Sequence, residues 1–124
     1  MKIFKRIIIS LVILVFIVII SFVSVFIYAE FFEKREVYRE VNPNTEYEFI
    51  LYQVGSPSWS YGPVKAEIKV INSAGKTVDK ESILIYNDGG PVFKYNVQEI
   101  HWYDTKLEFD CSGEISATYV LEFD

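Results

Sequence analysis

The sequence contains little of two residue types, cysteine and histidine, that cross-link small extracellular domains or bind metals. It contains one cysteine, Cys111, and one histidine, His101. A single cysteine excludes an intramolecular disulfide, so packing alone must stabilise any folded domain. A single histidine excludes metal centres that need two or more imidazole ligands. We therefore expect no metal and no cofactor.

Recognisable catalytic motifs are also missing, including the Gly-x-Ser-x-Gly elbow, the HExxH helix and the phosphate-binding loop. His101 lies between Ile100 and Trp102 and is interpreted as an outward-facing strand residue. Cys111 is in phase with Phe109 and has acidic neighbours, which favours a buried apolar side chain over a reactive thiol. The sequence predicts a protein that is not an enzyme and has no catalytic residues.

Residues 7–29 contain no charge, and only Ser10, Ser21, Ser24 and Tyr28 among them carry polar side chains. A helix of this length reaches about 35 Å, enough to cross a hydrocarbon core of about 30 Å. In lipid the backbone must satisfy its own hydrogen bonds, so a helix is favoured despite the many Ile and Val residues. The sequence predicts a transmembrane helix at 7–29.

A cleaved signal peptide is the main alternative for this segment. The apolar region of a signal peptide runs for about 7–15 residues and ends in small residues at alternate positions. Here the run is longer, and Ser24 and Ala29 are preceded two positions earlier by Phe22 and Ile27. The pattern therefore favours an uncleaved anchor.

The orientation of the anchor follows from the basic residues beside it. Lys2, Lys5 and Arg6 directly precede the apolar run, and basic flanks tend to remain in the cytoplasm. Lys34, Arg35 and Arg39 beyond the run weaken this asymmetry. We predict a single-pass cell-membrane protein with a cytoplasmic basic tail at 1–6 and its C-terminal domain outside.

Basic residues are scarce after residue 29. Nine basic and 17 acidic residues follow it, a net charge of −8. Nucleic acid is excluded as a partner because its recognition depends on neutralising phosphates. An acidic face that includes Glu108 and Asp110 instead predicts a basic protein partner or another envelope component. Calcium is a weaker alternative, because no Asp-x-Asp-x-Asp-Gly loop is present.

Residues 30–43 are highly charged and end at Pro43, before which extended backbone is favoured. We interpret them as a juxtamembrane stalk, with a short strand near 37–41 as the alternative.

After Pro43 the hydrophobic period changes from helical to two. The predicted strands are 47–54, 64–71, 82–86, 92–95, 97–103, 106–111 and a last one within 115–123. No segment suits a helical crossover, which argues against parallel pairing. The sequence predicts an all-β extracytoplasmic domain at 44–124, a small antiparallel sandwich or barrel of roughly six to eight short strands.

Three segments carry a resemblance to a known group of proteins. They are 54–65 (VGSPSWSYGPVK), 86–90 (YNDGG) and 99–109 (EIHWYDTKLEF). This arrangement of turns and aromatic residues resembles small membrane-anchored or lipid-anchored β-domain proteins of Gram-positive bacteria of the Bacillus and Clostridium type. The resemblance covers residues 47–124 and implies an extracytoplasmic β-domain. It implies no activity.

The segment 55–63 is a loop that contains Trp59 and Tyr61. These rings are candidates for partner binding, together with Trp102, because rigid aromatic side chains are common in recognition surfaces. The alternative, which we prefer for the loop, is that its rings cover one end of the β-domain's core.

Two kinds of function remain open. The first is a non-enzymatic interaction module outside the membrane, including an accessory subunit or an immunity-type protein that neutralises a toxin. The second is a cell-wall-active enzyme, for which the sequence offers no motif. We favour the interaction module.

Overall fold

The computed structural model describes residues 1–56, 62–87, 90–92 and 94–123. Its elements are helix α1 (Lys2–Phe31), β1 (Lys34–Val41), β2 (Glu48–Val54), β3 (Val64–Ile71), β4 (Thr77–Ile85), a 3₁₀ turn (Lys94–Asn96), β5 (Val97–Trp102), β6 (Lys106–Cys111) and β7 (Ala117–Glu122). The prediction of one apolar helix followed by short strands is confirmed.

Helix α1 is 30 residues long, or about 45 Å, and its sequence is apolar enough to cross a membrane. An N-terminal signal sequence meets the same criteria. The Ser21 and Ser24 hydroxyls donate to the carbonyls of Ile17 and Ile20 at 2.8 Å. These bonds satisfy both hydroxyls within the helix, as a lipid environment requires.

The strands form two antiparallel sheets that pack in a sandwich-like arrangement. The four-stranded sheet has the order β1-β2-β3-β4, and the three-stranded sheet has the order β5-β6-β7. Both sheets connect neighbouring strands by hairpins, consistent with the absence of helical crossovers in the sequence. The predicted strand number and antiparallel pairing are confirmed.

The core lies between the inner faces of the two sheets. On β3, Val64, Ala66, Ile68 and Val70 are all buried, as their alternation with charged residues predicts. The rings of Phe49 on β2 and Phe109 on β6 meet across the core with centroids 5.1 Å apart. The buried apolar residues form one continuous cluster that unites both sheets; they include Leu51, Ile83, Ile85, Leu107, Cys111, Leu121 and Phe123.

The predicted stalk at 30–43 is wrong for most of its length, because Lys34–Val41 is strand β1. This strand pairs with β2 through a bulged antiparallel ladder, and Val37 and Tyr38 pack against the core. Pairing satisfies the backbone groups of this charged segment, which explains why it does not continue the helix. The alternative of a strand near 37–41 is confirmed, and the β-domain begins ten residues before position 44.

A close backbone contact joins α1 directly to the β-domain. The Ser56 N–H donates to the Glu30 carbonyl and the Gly55 N–H to the Glu33 carbonyl, both at 2.7 Å. The Glu30 bond satisfies a carbonyl in the last turn of α1, which lacks a partner within the helix. Gly55 has a φ of 71°, and a Cβ there would lie 2.4 Å from the Glu30 oxygen. A side chain at position 55 would therefore push the end of α1 away from the domain.

The segment before β5 differs from the prediction. Instead of a strand at 92–95, the chain forms the 3₁₀ turn Lys94–Asn96. The Asn96 side chain is fully buried, and its amide donates to the Ser112 carbonyl at 2.7 Å. The Asn96 carbonyl accepts from the Ser112 N–H at 2.8 Å. This double connection fixes the segment against the end of β6 and leaves it outside the sheet.

Candidate interaction surface

The outer face of the three-stranded sheet is acidic because charged residues occupy its outward positions. On β6, Leu107, Phe109 and Cys111 point inward, so Glu108 and Asp110 point outward as predicted. Antiparallel partners share a face, which places the flanking β5 and β7 residues beside them. We call this surface the acidic face; it comprises Glu99, His101, Lys106, Glu108, Asp110, Thr118, Val120 and Glu122.

The charges of the acidic face do not balance. Its four carboxylates are opposed by one lysine, Lys106, whose ammonium lies 3.5 Å from a Glu108 oxygen. The same ammonium lies 5.2 Å from the centroid of the Tyr103 ring. The Tyr103 side chain is exposed at the edge of this face, and Val120, opposite Glu108 on the edge strand β7, is 43% exposed. The surface therefore combines excess negative charge with accessible apolar area.

One end of the acidic face carries a cluster of three titratable side chains. The His101 Nε2 lies 3.2 Å from an Asp110 oxygen and 3.5 Å from a Glu99 oxygen. The other Asp110 oxygen accepts a hydrogen bond of 2.8 Å from the Thr118 hydroxyl. His101 faces outward, as the sequence predicts; β5 and β6 supply the three titratable groups, and β7 supplies the Thr118 hydroxyl that bonds to Asp110.

Trp102, a predicted partner-binding residue, lies on the opposite side of β5 and is directed toward the core. Its indole N–H donates to Glu40 at 3.0 Å, and its ring centroid is 6.1 Å from that of Phe123. Glu40 also accepts a bond from the Tyr38 hydroxyl at 3.2 Å, and burial is the main reason that the pKa of Tyr38 is raised. Trp102 thus connects the edges of the two sheets and is not part of the acidic face.

The other two aromatic candidates, Trp59 and Tyr61, lie outside the described residues. Whether their rings bind a partner or cover the core remains a prediction. The flanking residue Gln53 is buried and donates to the Gly55 carbonyl at 2.9 Å, while its oxygen accepts from the Val92 N–H at 2.9 Å. The start of the loop is therefore fixed near the end of α1.

The thiol of Cys111 is buried among apolar residues of the core, as predicted from its phase. Burial raises its pKa to about 11, which keeps it protonated at neutral pH. A protonated, inaccessible thiol is a poor nucleophile. Cys111 therefore acts as a small core residue.

A shallow groove of about 230 Å³ lies between the β1–β2 loop and the β3–β4 turn, lined by Glu46, Tyr47, Asn72 and Ser73. Ligand pockets typically hold about 300–1,000 Å³ and enclose most of the ligand. This groove is smaller, and none of its lining residues belongs to the cluster of potential metal ligands found among the described residues. We do not assign it a function.

Sequence reasoning identified Glu108 and Asp110 but missed Glu99, Thr118 and Glu122 as their neighbours. The alternation along 115–123 already placed Thr118 and Glu122 opposite the apolar positions. Their position beside β6 depends on the pairing of β6 with β7, which brings Thr118 opposite Asp110 and Glu122 opposite Lys106. Combining the alternation with the short turn at 112–116 would have found this part of the face.

Comparisons with protein-family models, with curated proteins and with solved structures found no significant match to this chain.

Proposed function

We propose that this chain is a single-pass membrane protein whose β-domain binds a basic protein partner outside the cytoplasm through the acidic face. In this proposal the protein is not an enzyme: α1 is an uncleaved anchor, the basic tail lies in the cytoplasm, and the domain lies directly at the outer membrane–water interface. The excess of carboxylates on the outer face of β5, β6 and β7 is the observation that carries the proposal.

The arrangement of α1 supports the membrane part of the proposal. None of its residues is buried, and its large apolar side chains are at least 43% exposed. Such a surface is stable only in lipid or against a partner. The backbone contact between Glu30 and Ser56 supports a position of the domain close to the bilayer, because only Phe32 and Glu33 separate α1 from β1.

The electrostatics of the acidic face support a basic partner. Carboxylates on a single face that outnumber the basic groups beside them create a potential that attracts cations and accelerates encounter with a positively charged surface. Val120 on β7 adds an exposed apolar contact beside Glu108, and protein interfaces commonly combine apolar contacts with polar ones. Glu108 and Asp110 occupy the central strand β6 and are expected to dominate recognition.

Site-specific photocrosslinking of the full-length protein in its membrane tests the partner. A photoreactive amino acid replaces either Val120 on the acidic face or Leu84 on the outer face of the four-stranded sheet. The two side chains are 43% and 45% exposed, so their chemical accessibility is matched. We expect a defined adduct with a basic protein from position 120 and none from position 84. An adduct of equal yield from position 84, or none from position 120, would contradict the proposal.

Charge reversal then tests which residues bind. Glu108→Lys with Asp110→Lys is expected to abolish the adduct from position 120. The control is Glu46→Lys with Glu114→Lys, which makes the same change in net charge at two exposed positions outside the face. The control is expected to retain the adduct. Loss in both double variants would mean that net charge, and not this face, attracts the partner.

Cysteine labelling of intact cells tests the orientation. Ser73 lies in the exposed β3–β4 turn, and the native Cys111 is buried, so an introduced thiol dominates the signal. We expect Ser73→Cys to react with a membrane-impermeant maleimide on intact cells and Lys2→Cys to react only after permeabilisation. The reverse pattern, or a mature protein that lacks α1, would overturn the membrane part of the proposal.

A further inference from the structure

We propose that Glu99, His101 and Asp110 form a binding site for a zinc-class divalent cation on the three-stranded sheet. The inference does not depend on the proposed partner, because it concerns the affinity of the protein for the metal alone. Among the described residues, these are the only three potential ligand groups whose atoms lie within 4.8 Å of one another.

Two of the three distances in this cluster match a tetrahedral metal site, and all three ligand atoms lie within 4.8 Å of one another. Zinc binds imidazole nitrogen and carboxylate oxygen at about 2.0–2.2 Å, so neighbouring ligand atoms in a tetrahedron lie about 3.4 Å apart. The His101 Nε2 lies 3.2 Å from Asp110 Oδ2 and 3.5 Å from Glu99 Oε2. Two of the three ligand–ligand distances thus already have the spacing that a bound ion requires. Water can complete the coordination, as in zinc sites with three protein ligands.

The register of the sheet gives a separate reason for a cation at this position. Glu99 on β5 lies directly opposite Asp110 on β6. Like charges at directly opposed positions of an antiparallel pair destabilise it. A divalent cation coordinated by both carboxylates converts this repulsion into attraction and joins β5 to β6.

A neighbouring side chain orients one of the ligands. The Thr118 hydroxyl donates to Asp110 Oδ1, while the other oxygen, Oδ2, is the one that approaches His101. This bond from β7 fixes the rotation of the carboxylate and directs Oδ2 into the cluster. Hydrogen bonds of this kind to a ligating carboxylate commonly contribute to metal affinity.

The ligand set selects the type of ion. One imidazole with two carboxylates suits zinc and related first-row metals, whereas calcium requires six to eight oxygen ligands and magnesium an octahedron of oxygens. The side chains of Glu99, His101 and Asp110 are 63%, 36% and 29% exposed, so an ion can enter from solution. A single imidazole is sufficient here because the hairpin brings the carboxylates to it.

Isothermal titration of the full-length protein in detergent micelles with zinc chloride tests the site. We expect saturable binding of one zinc ion per chain and visible absorption typical of a four-coordinate site when cobalt(II) is substituted. His101→Ala and His101→Gln are both expected to remove saturable binding and the cobalt signal. Thr118→Val, which removes only the orienting hydroxyl, is expected to weaken zinc binding by about tenfold.

Glu108→Gln is the matched control for charge. Glu108 lies opposite His101 on the same face, yet it is not one of the three clustered ligands. We expect Glu108→Gln to retain the zinc affinity and Asp110→Asn to lose it, although both remove one negative charge. The site is overturned if zinc does not bind saturably to the wild type, if both histidine variants bind as the wild type does, or if Glu108→Gln and Asp110→Asn weaken binding equally.

Discussion

The outer face of the four-stranded sheet and that of the three-stranded sheet carry charge in different ways. On the four-stranded sheet, five basic residues (Lys34, Arg39, Lys65, Lys69 and Lys80) are interspersed with three acidic ones (Glu36, Glu48 and Glu67). Lys34 pairs with Glu67 at 2.7 Å, and Arg39 pairs with both Glu36 and Glu48. On the acidic face, in contrast, four carboxylates accompany one lysine.

The two faces also differ in the exposure of one apolar side chain on each, Ile50 and Val120. Ile50 lies on the outer side of the four-stranded sheet, yet it is only 1% exposed. Its register places it between Arg39 and Lys69, whose aliphatic stems can cover it. Val120, on the edge strand β7 of the acidic face, remains 43% exposed. The four-stranded sheet thus buries Ile50 and pairs several of its outer charges, although Leu84 on β4 is 45% exposed, while the acidic face combines exposed Val120 with an excess of carboxylates.

The largest expected effect tests the difference in burial between Ile50 and Val120. Ile50→Ala should lower the free energy of unfolding by about 2–5 kcal/mol, because it removes a buried side chain and leaves a cavity. Val120→Ala should change it by no more than about 0.5 kcal/mol, because its site is open to solvent. Chemical denaturation of both variants in detergent measures the two values. Equal losses of unfolding free energy would show that Val120 is as well packed as Ile50.

An intermediate effect concerns the free energy of unfolding at alkaline pH, to which Cys111 on the three-stranded sheet contributes. The pKa of the Cys111 thiol is raised by burial from 9.0 to about 11. The stability due to the protonated thiol is fully present below pH 9, where the unfolded thiol is also protonated, and it is lost as the pH rises toward 11. We expect a loss of about 2 kcal/mol from this group between about pH 8 and about pH 11.

Cys111→Ala isolates this contribution from that of the tyrosines. Burial also raises the pKa values of Tyr38 on the four-stranded sheet and Tyr119 on the three-stranded sheet, so both proteins should lose some stability in alkali. The variant should lose less than the wild type over the same pH range. Parallel curves of unfolding free energy against pH would contradict a buried thiol at this position.

The smallest expected effect has opposite signs on the two faces. Glu36→Gln removes one of the two partners of Arg39, an exposed pair at 2.7 Å, and should destabilise the protein slightly. Glu99→Gln removes one of two directly opposed carboxylates and should stabilise it slightly when a chelator excludes metal. Each change should be below about 1 kcal/mol at neutral pH. Thermal unfolding at low ionic strength measures both, and the same sign in both variants would contradict the comparison.

Much of the fold could be predicted because the relevant signals are local. The charge-free run specifies α1, and the alternation along 64–71 and 106–111 specifies β3 and β6 with the correct buried faces. Strand β1 was less predictable, because its charged sequence suits a helix or a strand equally and pairing with β2 decides between them. The 3₁₀ turn at Lys94–Asn96 likewise depends on the contact of Asn96 with Ser112, which is distant in sequence.

The candidate sites were predictable only in part. Composition and alternation indicated an outward acidic strand, and Glu108 and Asp110 are on it. Trp102 is a candidate for partner binding because aromatic side chains are common in recognition surfaces. In the structure it instead contacts Glu40, and this contact depends on the approach of β1 to β5. Predicting the cluster around His101 would have required knowledge of the register of the β5–β6 hairpin. A shift of this register by one residue would separate the three side chains.

The sequence by itself determined an apolar helix, a β-rich remainder and an excess of acid, because periodicity and composition act over a few neighbouring residues. The tertiary structure alone decided that the end of α1 bonds to the start of the 55–63 loop and that Glu99 lies opposite Asp110. Both contacts join residues whose spacing along the chain carries no signal of their proximity. They exist because hairpin register and the packing of two sheets on one core bring distant backbone segments together.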